Sequence, residues 1–299
     1  MISVIICSAN EQDLSKVKVN IAQTIGIPFE IIAIDNSEGK MGICEVYNRG
    51  AAQAQYGILC FMHEDIEMIT PMWGNKVTEL FDQNPKVGLI GVAGGGYKSL
   101  VPSSWYNADL EVNGGFYCSL IQGFKHSGET EFFDYRNPKD EKLSHVACID
   151  GCWMCTKKSI VLEYPFDQGL LTKFHGYDLD FSLAVNQKYK VAVTYEIVLR
   201  HFSEGNFDSE WFEATLKVHK KWSWILPVNT DGLNEATLSR YERRAFKVFA
   251  NNLLDQGFTY SQLATIGSHF RHSRIFPRFR YLKIYLDLWK LRKKREKNL

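Results

Sequence analysis

No segment of this 299-residue sequence stays apolar for more than about six residues, as at Gly57–Met62. A membrane-spanning helix needs about twenty, so the chain is not read as crossing a bilayer. The start, Met1-Ile2-Ser3-Val4, lacks the basic stretch that opens a secretory signal and runs straight into a strand-like segment. Seven cysteines, an odd number scattered along the chain, do not read as a disulfide framework. A reducing cytoplasm fits these absences. No phosphate-cradling P-loop is found, and Gly94-Gly95-Gly96 lacks the G-x-G-x-x-G spacing of a dinucleotide fold. The first strand-like segment ends in Ser8-Ala9-Asn10 rather than glycines, which argues against a nicotinamide enzyme. Cys152-Trp153-Met154-Cys155 is a formal C-x-x-C with Cys148 nearby, but no fourth ligand stands at zinc spacing. In a strand, positions 152 and 155 face opposite ways, so buried free thiols are expected. Internal repeats and low-complexity tracts are also lacking.

What is there is an ordinary globular composition, 45% hydrophobic and 23% charged. Apolar, β-branched segments at Ile2–Cys7, Phe29–Ile34, Gly57–Met62 and Val87–Val92 predict strands. Between them, Leu14, Val17, Ile21 and Ile25 fall on one helical face, as do Ile43, Val46, Tyr47, Gly50 and Ala51. Trp73, Val77, Leu80 and Phe81 repeat the pattern. This alternation predicts an α/β fold, a mostly parallel Rossmann-like sheet with helices on both faces. Ligands of such sheets bind at the carboxyl ends of the strands. Here those ends carry Ser8-Ala9-Asn10, Asp35-Asn36-Ser37 and His63-Glu64-Asp65. The stretch Gly94–His145 reads as a long irregular loop, and loops of that length are often functional. Regular signals resume at Val146–Thr156, Tyr177–Gln187 and Val191–Arg200, and the pattern turns helical after about Trp211.

The net charge of +1 conceals an asymmetry. From Arg271 to Leu299 there are 11 Lys and Arg against 2 Asp and Glu, so the tail carries +9 and the rest of the chain −8. Such a split suggests that the tail meets an anionic surface. Phe279, Leu282, Leu286 and Trp289 recur there at helical spacing, flanked by Tyr281, Tyr285 and many cations, which is the pattern of a helix lying on an anionic membrane. The same stripe can instead pack on the protein's own helices. A nucleic-acid partner has no recognisable module behind it.

Three clusters carry chemistry. In His63-Glu64-Asp65 a carboxylate at the end of an apolar strand can hold Mg²⁺ or Mn²⁺ against a diphosphate, or can be a solvated acidic turn. In Gly176-Tyr177-Asp178-Leu179-Asp180, one acid can cap a helix and the other can serve as a general base. His201-Phe202-Ser203-Glu204-Gly205-Asn206 opens a polar loop after a strand-like segment; its histidine is either a packed group or a ligand.

In this order the pieces resemble a family 2 glycosyltransferase of the GT-A fold, over roughly residues 1–225. Ile2–Ser8 followed by Glu30–Ser37 resembles that family's nucleotide-binding pair of strands. Asn48-Arg49-Gly50-Ala51-Ala52 resembles its N-x-G/A helix, and His63-Glu64-Asp65 stands where it has an Asp-x-Asp metal motif. Cys148-Ile149-Asp150-Gly151 resembles the D-G segment beneath the donor sugar. Tyr177-Asp178 stands where the family has Glu-Asp, whose Asp is the base, and His201 where a late histidine can complete the metal site. The sequence departs from the pattern twice, with His63 for the first Asp and Tyr177 for Glu.

The resemblance implies an inverting enzyme that moves a sugar from a nucleotide-diphosphate sugar to a hydroxyl of a glycan or lipid-linked acceptor, in surface polysaccharide or glycolipid synthesis. It implies Asp178 as base and Asp65, His63 and His201 as ligands of a divalent metal, Mn²⁺ or Mg²⁺. Ser8, Asn10, Asp35, Asn36 and Asn48 then face the nucleotide, and Asp150 the donor sugar. Residues 1–225 would form the transferase domain, and 226–299 a helical extension ending in the basic tail. The alternatives are a non-catalytic nucleotide- or carbohydrate-binding module, which His63 permits and Asp178 disfavours, and a nucleotidyltransferase, which should have a Gly-rich basic N-terminal loop that Ser8–Asp13 lacks.

Overall fold

A computed structural model describes residues 1–106, 115–125, 127–203, 205, 208–268 and 278–296. Glu204 and Asn206 of the polar loop, the tail at 271–277 and at 297–299, and the side chains of 278–281, Phe279 and Tyr281 among them, lie outside the described residues. The first strands are β1 (Ile2–Ser8), β2 (Phe29–Asp35), β3 (Ile58–Met62), β4 (Ile66–Met68) and β5 (Val87–Gly91). Next come β6 (Ala93–Gly95), β7 (Tyr97–Lys98), β8 (Phe116–Gly123), β9 (Phe132–Arg136) and β10 (Leu143–Val146). The last are β11 (Cys148–Ile149), β12 (Trp153–Lys157), β13 (Lys190–Thr194), β14 (Leu199–Phe202) and β15 (Val228–Asn229).

Seven strands form the main sheet in the order β10-β13-β5-β12-β3-β1-β2. β1 runs parallel to both β2 and β3, and β13 runs parallel to β5; β12 and β10 are antiparallel to their neighbours. Five of the seven strands therefore point the same way, with three parallel and three antiparallel pairings. Helices Glu11–Thr24 and Trp73–Gln83 bury Val17, Ile21, Trp73, Val77 and Leu80 against one face. Helices Ile43–Gln53, Lys158–Glu163 and Tyr177–Val185 cover the other face with Val46, Tyr47, Ile160 and Phe181. Covering both faces explains why the strands are apolar without alternation. All seven cysteines are free thiols, as expected.

Three expectations are corrected. The stretch Gly94–His145 is not a plain loop: β8 within it is the centre of a second sheet, β11-β6-β8-β14-β4, with β9 on the far side of β8. β6 and β11 are only three and two residues long, and the eight-residue β8, Phe116–Gly123, is buried almost throughout and mixes polar with apolar residues, so no two-residue alternation registers. Val191–Arg200 is likewise not one strand. The chain turns at Tyr195-Glu196, so β13 joins the main sheet and β14 the second. The segment Val146–Thr156 is broken in the same way by the Asp150-Gly151 turn between β11 and β12.

The helices after residue 225 share an apolar cluster. Phe246, Phe249 and Leu253 of Glu235–Asp255 meet Leu263 of Tyr260–Ser268 and Ile284 and Leu288 of Arg278–Glu296. Val101 and Phe212 belong to the same cluster. Glu242, fully buried, fastens this layer to the loop after β7: it accepts the N–H groups of Leu100 (2.7 Å) and Val101 (3.0 Å) and the Tyr97 hydroxyl. Glu242→Ala strands three buried donors, each worth about 1–3 kcal/mol. The urea midpoint should fall by the equivalent of about 3 kcal/mol or more; an unchanged midpoint would show that this clasp carries no stability.

Candidate active site

The metal-ligand candidates are brought together by strand pairing that the sequence does not display. β3 ends at Met62 in the main sheet, and residues 63–65 carry the chain across to β4 in the second sheet. β4 pairs with β14 in a register that sets Ile66 opposite His201, and the Phe202 N–H donates to the Asp65 carbonyl at 2.9 Å. Asp65 Oδ1 consequently lies 3.8 Å from His63 Nδ1 and 3.7 Å from His201 Nε2. Both separations are too long for hydrogen bonds. One ligand atom from each of the three residues lies within 4.8 Å of the others. Asp65 Oδ1 and His201 Nε2 are buried with no hydrogen-bond partner, a costly arrangement that a divalent cation would relieve. One carboxylate and two imidazoles suit Mn²⁺ better than Mg²⁺, and ions at 2.0–2.6 Å from each ligand need only a small closing of this cluster.

His63 is oriented from behind. Its Nε2 lies 2.6 Å from the Tyr177 hydroxyl, and the tautomer that donates Nε2–H leaves the Nδ1 lone pair toward Asp65. Burial draws the His63 pKa down, against the opposing pull of Asp65, which favours the neutral, ligating form. Tyr177 packs over Gly151, where a Cβ would run into its ring. The D-G segment thus needs glycine because the tyrosine occupies that space.

Asp178 follows Tyr177 at the first turn of the Tyr177–Val185 helix, entered through Gly176 in a left-handed conformation at φ 81°. One oxygen accepts the Leu179 N–H at 2.8 Å. Burial pushes its pKa up to about 7, reinforced by the charge of Asp150 and opposed by Lys98. Asp150 holds two donors, Cys152 N–H at 2.7 Å and Trp105 Nε1–H at 2.8 Å. The second acid of the motif, Asp180, is structural. It is buried and accepts from Lys221 Nζ (2.9 Å) and Trp222 Nε1 (2.7 Å).

The expected nucleotide residues gather where β1 and β2 end. Ser8 is in register with Asp35, and its Oγ donates to Glu64 at 2.8 Å. Glu64 also accepts the N–H groups of Ala9 and Asn10 at 3.0 and 2.9 Å, so it braces the turn after β1. Asn10 caps the Glu11–Thr24 helix through Gln12 and Asp13. Asn36 clasps the backbone of Met41 in both directions, and Asp35 is exposed, accepting from Ser37 at 2.9 Å. Asn48 is turned elsewhere: its carboxamide holds the backbone of Phe166 and the Gln168 side chain.

Sequence reasoning missed Glu64, Trp105 and Lys125. Lys125 Nζ lies 3.1 Å from Asp13 and 3.7 Å from Asp65, placing a cation beside the cluster. Burial acts to lower its pKa, but Asp13 and Asp65 outweigh that and leave it raised. It sits just past β8, in the stretch whose periodicity is silent. The left-handed glycine before Tyr177-Asp178 was the one signal in the sequence for a sharply placed helix start.

The chain belongs to the glycosyltransferase-like family, which matches residues 3–223. Among solved structures it is similar to GalNAc-T7, whose crystal structure contains UDP, GalNAc and Mn²⁺. The TM-score is 0.50 and the identity 12%, covering 93% of this chain and 58% of that one. It is also similar to residues 1–349 of TarS from S. aureus, with TM-score 0.48 and 11% identity, over 82% of this chain and 70% of that one. This chain thus spans little more than half the length of the GalNAc-T7 chain. The fold is the GT-A fold of glycosyltransferases. No curated protein matches the sequence.

Gly151→Ala tests the support behind His63. Displacing Tyr177 removes an outer-shell partner, a change that typically costs 10–100-fold in metal affinity. Titration with Mn²⁺, read by electron paramagnetic resonance, should show that loss in a folded protein; undiminished affinity would show that the Tyr177 contact does not orient a ligand.

Proposed function

We propose that the chain is an inverting, metal-dependent glycosyltransferase that moves a sugar from a nucleoside-diphosphate sugar to a hydroxyl of a glycan or lipid-linked acceptor, in surface polysaccharide or glycolipid synthesis. In this reading residues 1–225 are the transferase unit and 226–299 its extension. The observation that carries the proposal is the pairing of two features across one hydrogen bond. On one side stands the His63-Asp65-His201 cluster, with Asp65 Oδ1 and His201 Nε2 buried and unpartnered, and on the other, next to Tyr177, the half-buried Asp178 carboxylate, its pKa pushed up to about 7.

His63, Asp65 and His201 would hold the divalent ion, which when bound supplies Lewis-acid stabilisation to the charge of the departing diphosphate. Lys125 adds a fixed positive charge at the same place. The exposed carboxylate of Asp35 and the polar turns braced by Ser8, Asn10 and Asn36 form the nucleotide platform, while Asn48 serves to hold the Phe166–Gln168 segment. Asp150 faces the donor sugar, oriented by two donors. Asp178 takes the proton of the acceptor hydroxyl as that oxygen attacks the anomeric carbon. The bond from that carbon to the diphosphate oxygen breaks in the same step. A single displacement at an oxocarbenium-like centre inverts its configuration. The UDP and Mn²⁺ of the GalNAc-T7 structure make uridine diphosphate sugars with Mn²⁺ the first donors to try.

Asp178→Asn keeps the shape and removes the base, so transfer should fall by about 10²–10⁴-fold with nucleotide binding nearly intact. In the wild type, kcat/KM should rise with pH up to about 7 and then level, because only the carboxylate form accepts a proton. The same variant tests the strain. A carboxyl with a raised folded pKa loses stability as pH climbs from its unfolded value near 4 to about 7, so the Asn variant should be the more stable protein at pH 8 and lose that advantage at pH 4. A pH-independent rate with near-normal turnover in the variant would remove Asp178 from the mechanism.

A further inference from the structure

The C-terminal helix Arg278–Glu296 presents two opposed faces. One carries Ile284, Asp287 and Leu288, buried against the Glu235–Asp255 helix and its neighbours. The other carries Leu282, Leu286 and Trp289, each more than half exposed. The sequence stripe is real, but it is not the face the protein uses for its own packing. Its spacings of four and three keep the three side chains on one line, directly opposite the buried face. Three large apolar groups in a row on a surface helix mark an interaction site.

A second feature lies beside it. Arg240, Arg243, Arg244 and Lys247 recur at helical spacing along one face of Glu235–Asp255, and with Lys283 they line a groove of about 580 Å³. Asp287, which bonds Arg243 at 2.8 Å and lies 3.4 Å from Lys247, is the acid set against these five cations. Lys283, Lys290 and Lys294, spaced seven and four apart, flank the apolar stripe on one side of the C-terminal helix. Arg244 and Val248 of the groove also border an apolar recess of about 270 Å³ containing Trp211, Phe212 and Phe249, so basic and apolar surfaces share an edge.

We propose that this face docks on an anionic lipid bilayer, with headgroup phosphates in the Arg240–Lys247 groove and Leu282, Leu286 and Trp289 entering the interface between headgroups and acyl chains. Charge complementarity selects the occupant. A nucleic acid would answer the cations and leave the apolar stripe in water. A second copy of the chain would bring two basic grooves together. A bilayer bearing anionic headgroups satisfies both surfaces at once, and basic flanks around a Leu/Trp face are what an interfacial helix presents. The inference is independent of the sugar-transfer reading, since none of these residues belongs to the active site.

Co-sedimentation of the full chain with phosphatidylcholine vesicles, with and without phosphatidylglycerol, tests it. Binding is expected only with phosphatidylglycerol and should weaken as salt rises. Arg240→Gln and Lys283→Gln should each reduce the partition coefficient by about fivefold. Leu282→Ser combined with Trp289→Ser should abolish it, with thermal stability unchanged because both side chains are exposed. Trp289→Phe should remove a blue shift in tryptophan emission that accompanies binding. No association with anionic vesicles at low salt, equal association with neutral ones, or full binding by the stripe variant would overturn the proposal. It would be overturned equally if the stripe variant altered only self-association in sedimentation velocity.

Discussion

The contact on which the site depends is the 2.6 Å hydrogen bond between His63 and Tyr177. It joins the end of a main-sheet strand to the start of the helix that carries Asp178, and it closes only because Gly151 leaves room for the tyrosine ring. His63 and Tyr177 are also the two positions at which the sequence departs from the glycosyltransferase pattern. An imidazole in place of a carboxylate needs a partner for its second nitrogen; a phenol in place of a carboxylate supplies one. The two departures therefore read as one coupled replacement, which puts a side chain able to ligate a metal at position 63 and its support at position 177.

Around that bond the protein buries several acids and gives each a different fate. Asp180 is paired with the Lys221 ammonium, accepts the Trp222 indole N–H and holds helices together. Asp150 accepts one hydrogen bond on each oxygen, from Cys152 and Trp105. Asp65 keeps one oxygen dry and unpartnered between two imidazoles. Asp178 accepts the main-chain N–H of Leu179, and burial, with the charge of Asp150 beside it, pushes its pKa up to about 7. Environment, and not residue type, separates a structural acid from a ligand and from a base.

Much of this was legible in the sequence. The apolar segments and 3–4 spacings located the first strands and helices to within a residue or two, and the motif order picked out His63, Asp65 and His201, which the fold brings together. Periodicity was silent in β6 and β11, which are two or three residues long, and in β8, whose burial does not alternate, so the second sheet was missed. The split of Val191–Arg200 was missed because both halves are apolar and only the Tyr195-Glu196 turn divides them. The second sheet is what sets His201 beside Asp65 and leads the chain to Lys125. Glu64 was hidden for another reason: as the middle residue of His63-Glu64-Asp65 it looked like a spacer, whereas its side chain points back to brace the turn after β1. At the tail, the pattern disclosed an amphipathic helix but not that it has two apolar faces, one for the protein and one left open.

The central claim is that the dry His63-Asp65-His201 cluster and a nucleoside diphosphate share one divalent ion. Calorimetric titration of a panel of nucleoside diphosphates, in Mn²⁺, in Mg²⁺ and in EDTA, tests it most directly. The account predicts tight binding of at least one diphosphate in Mn²⁺, weaker binding in Mg²⁺, and loss of binding in EDTA or in the Asp65→Asn protein. Equal affinity under all three conditions, undisturbed by Asp65→Asn, would contradict it.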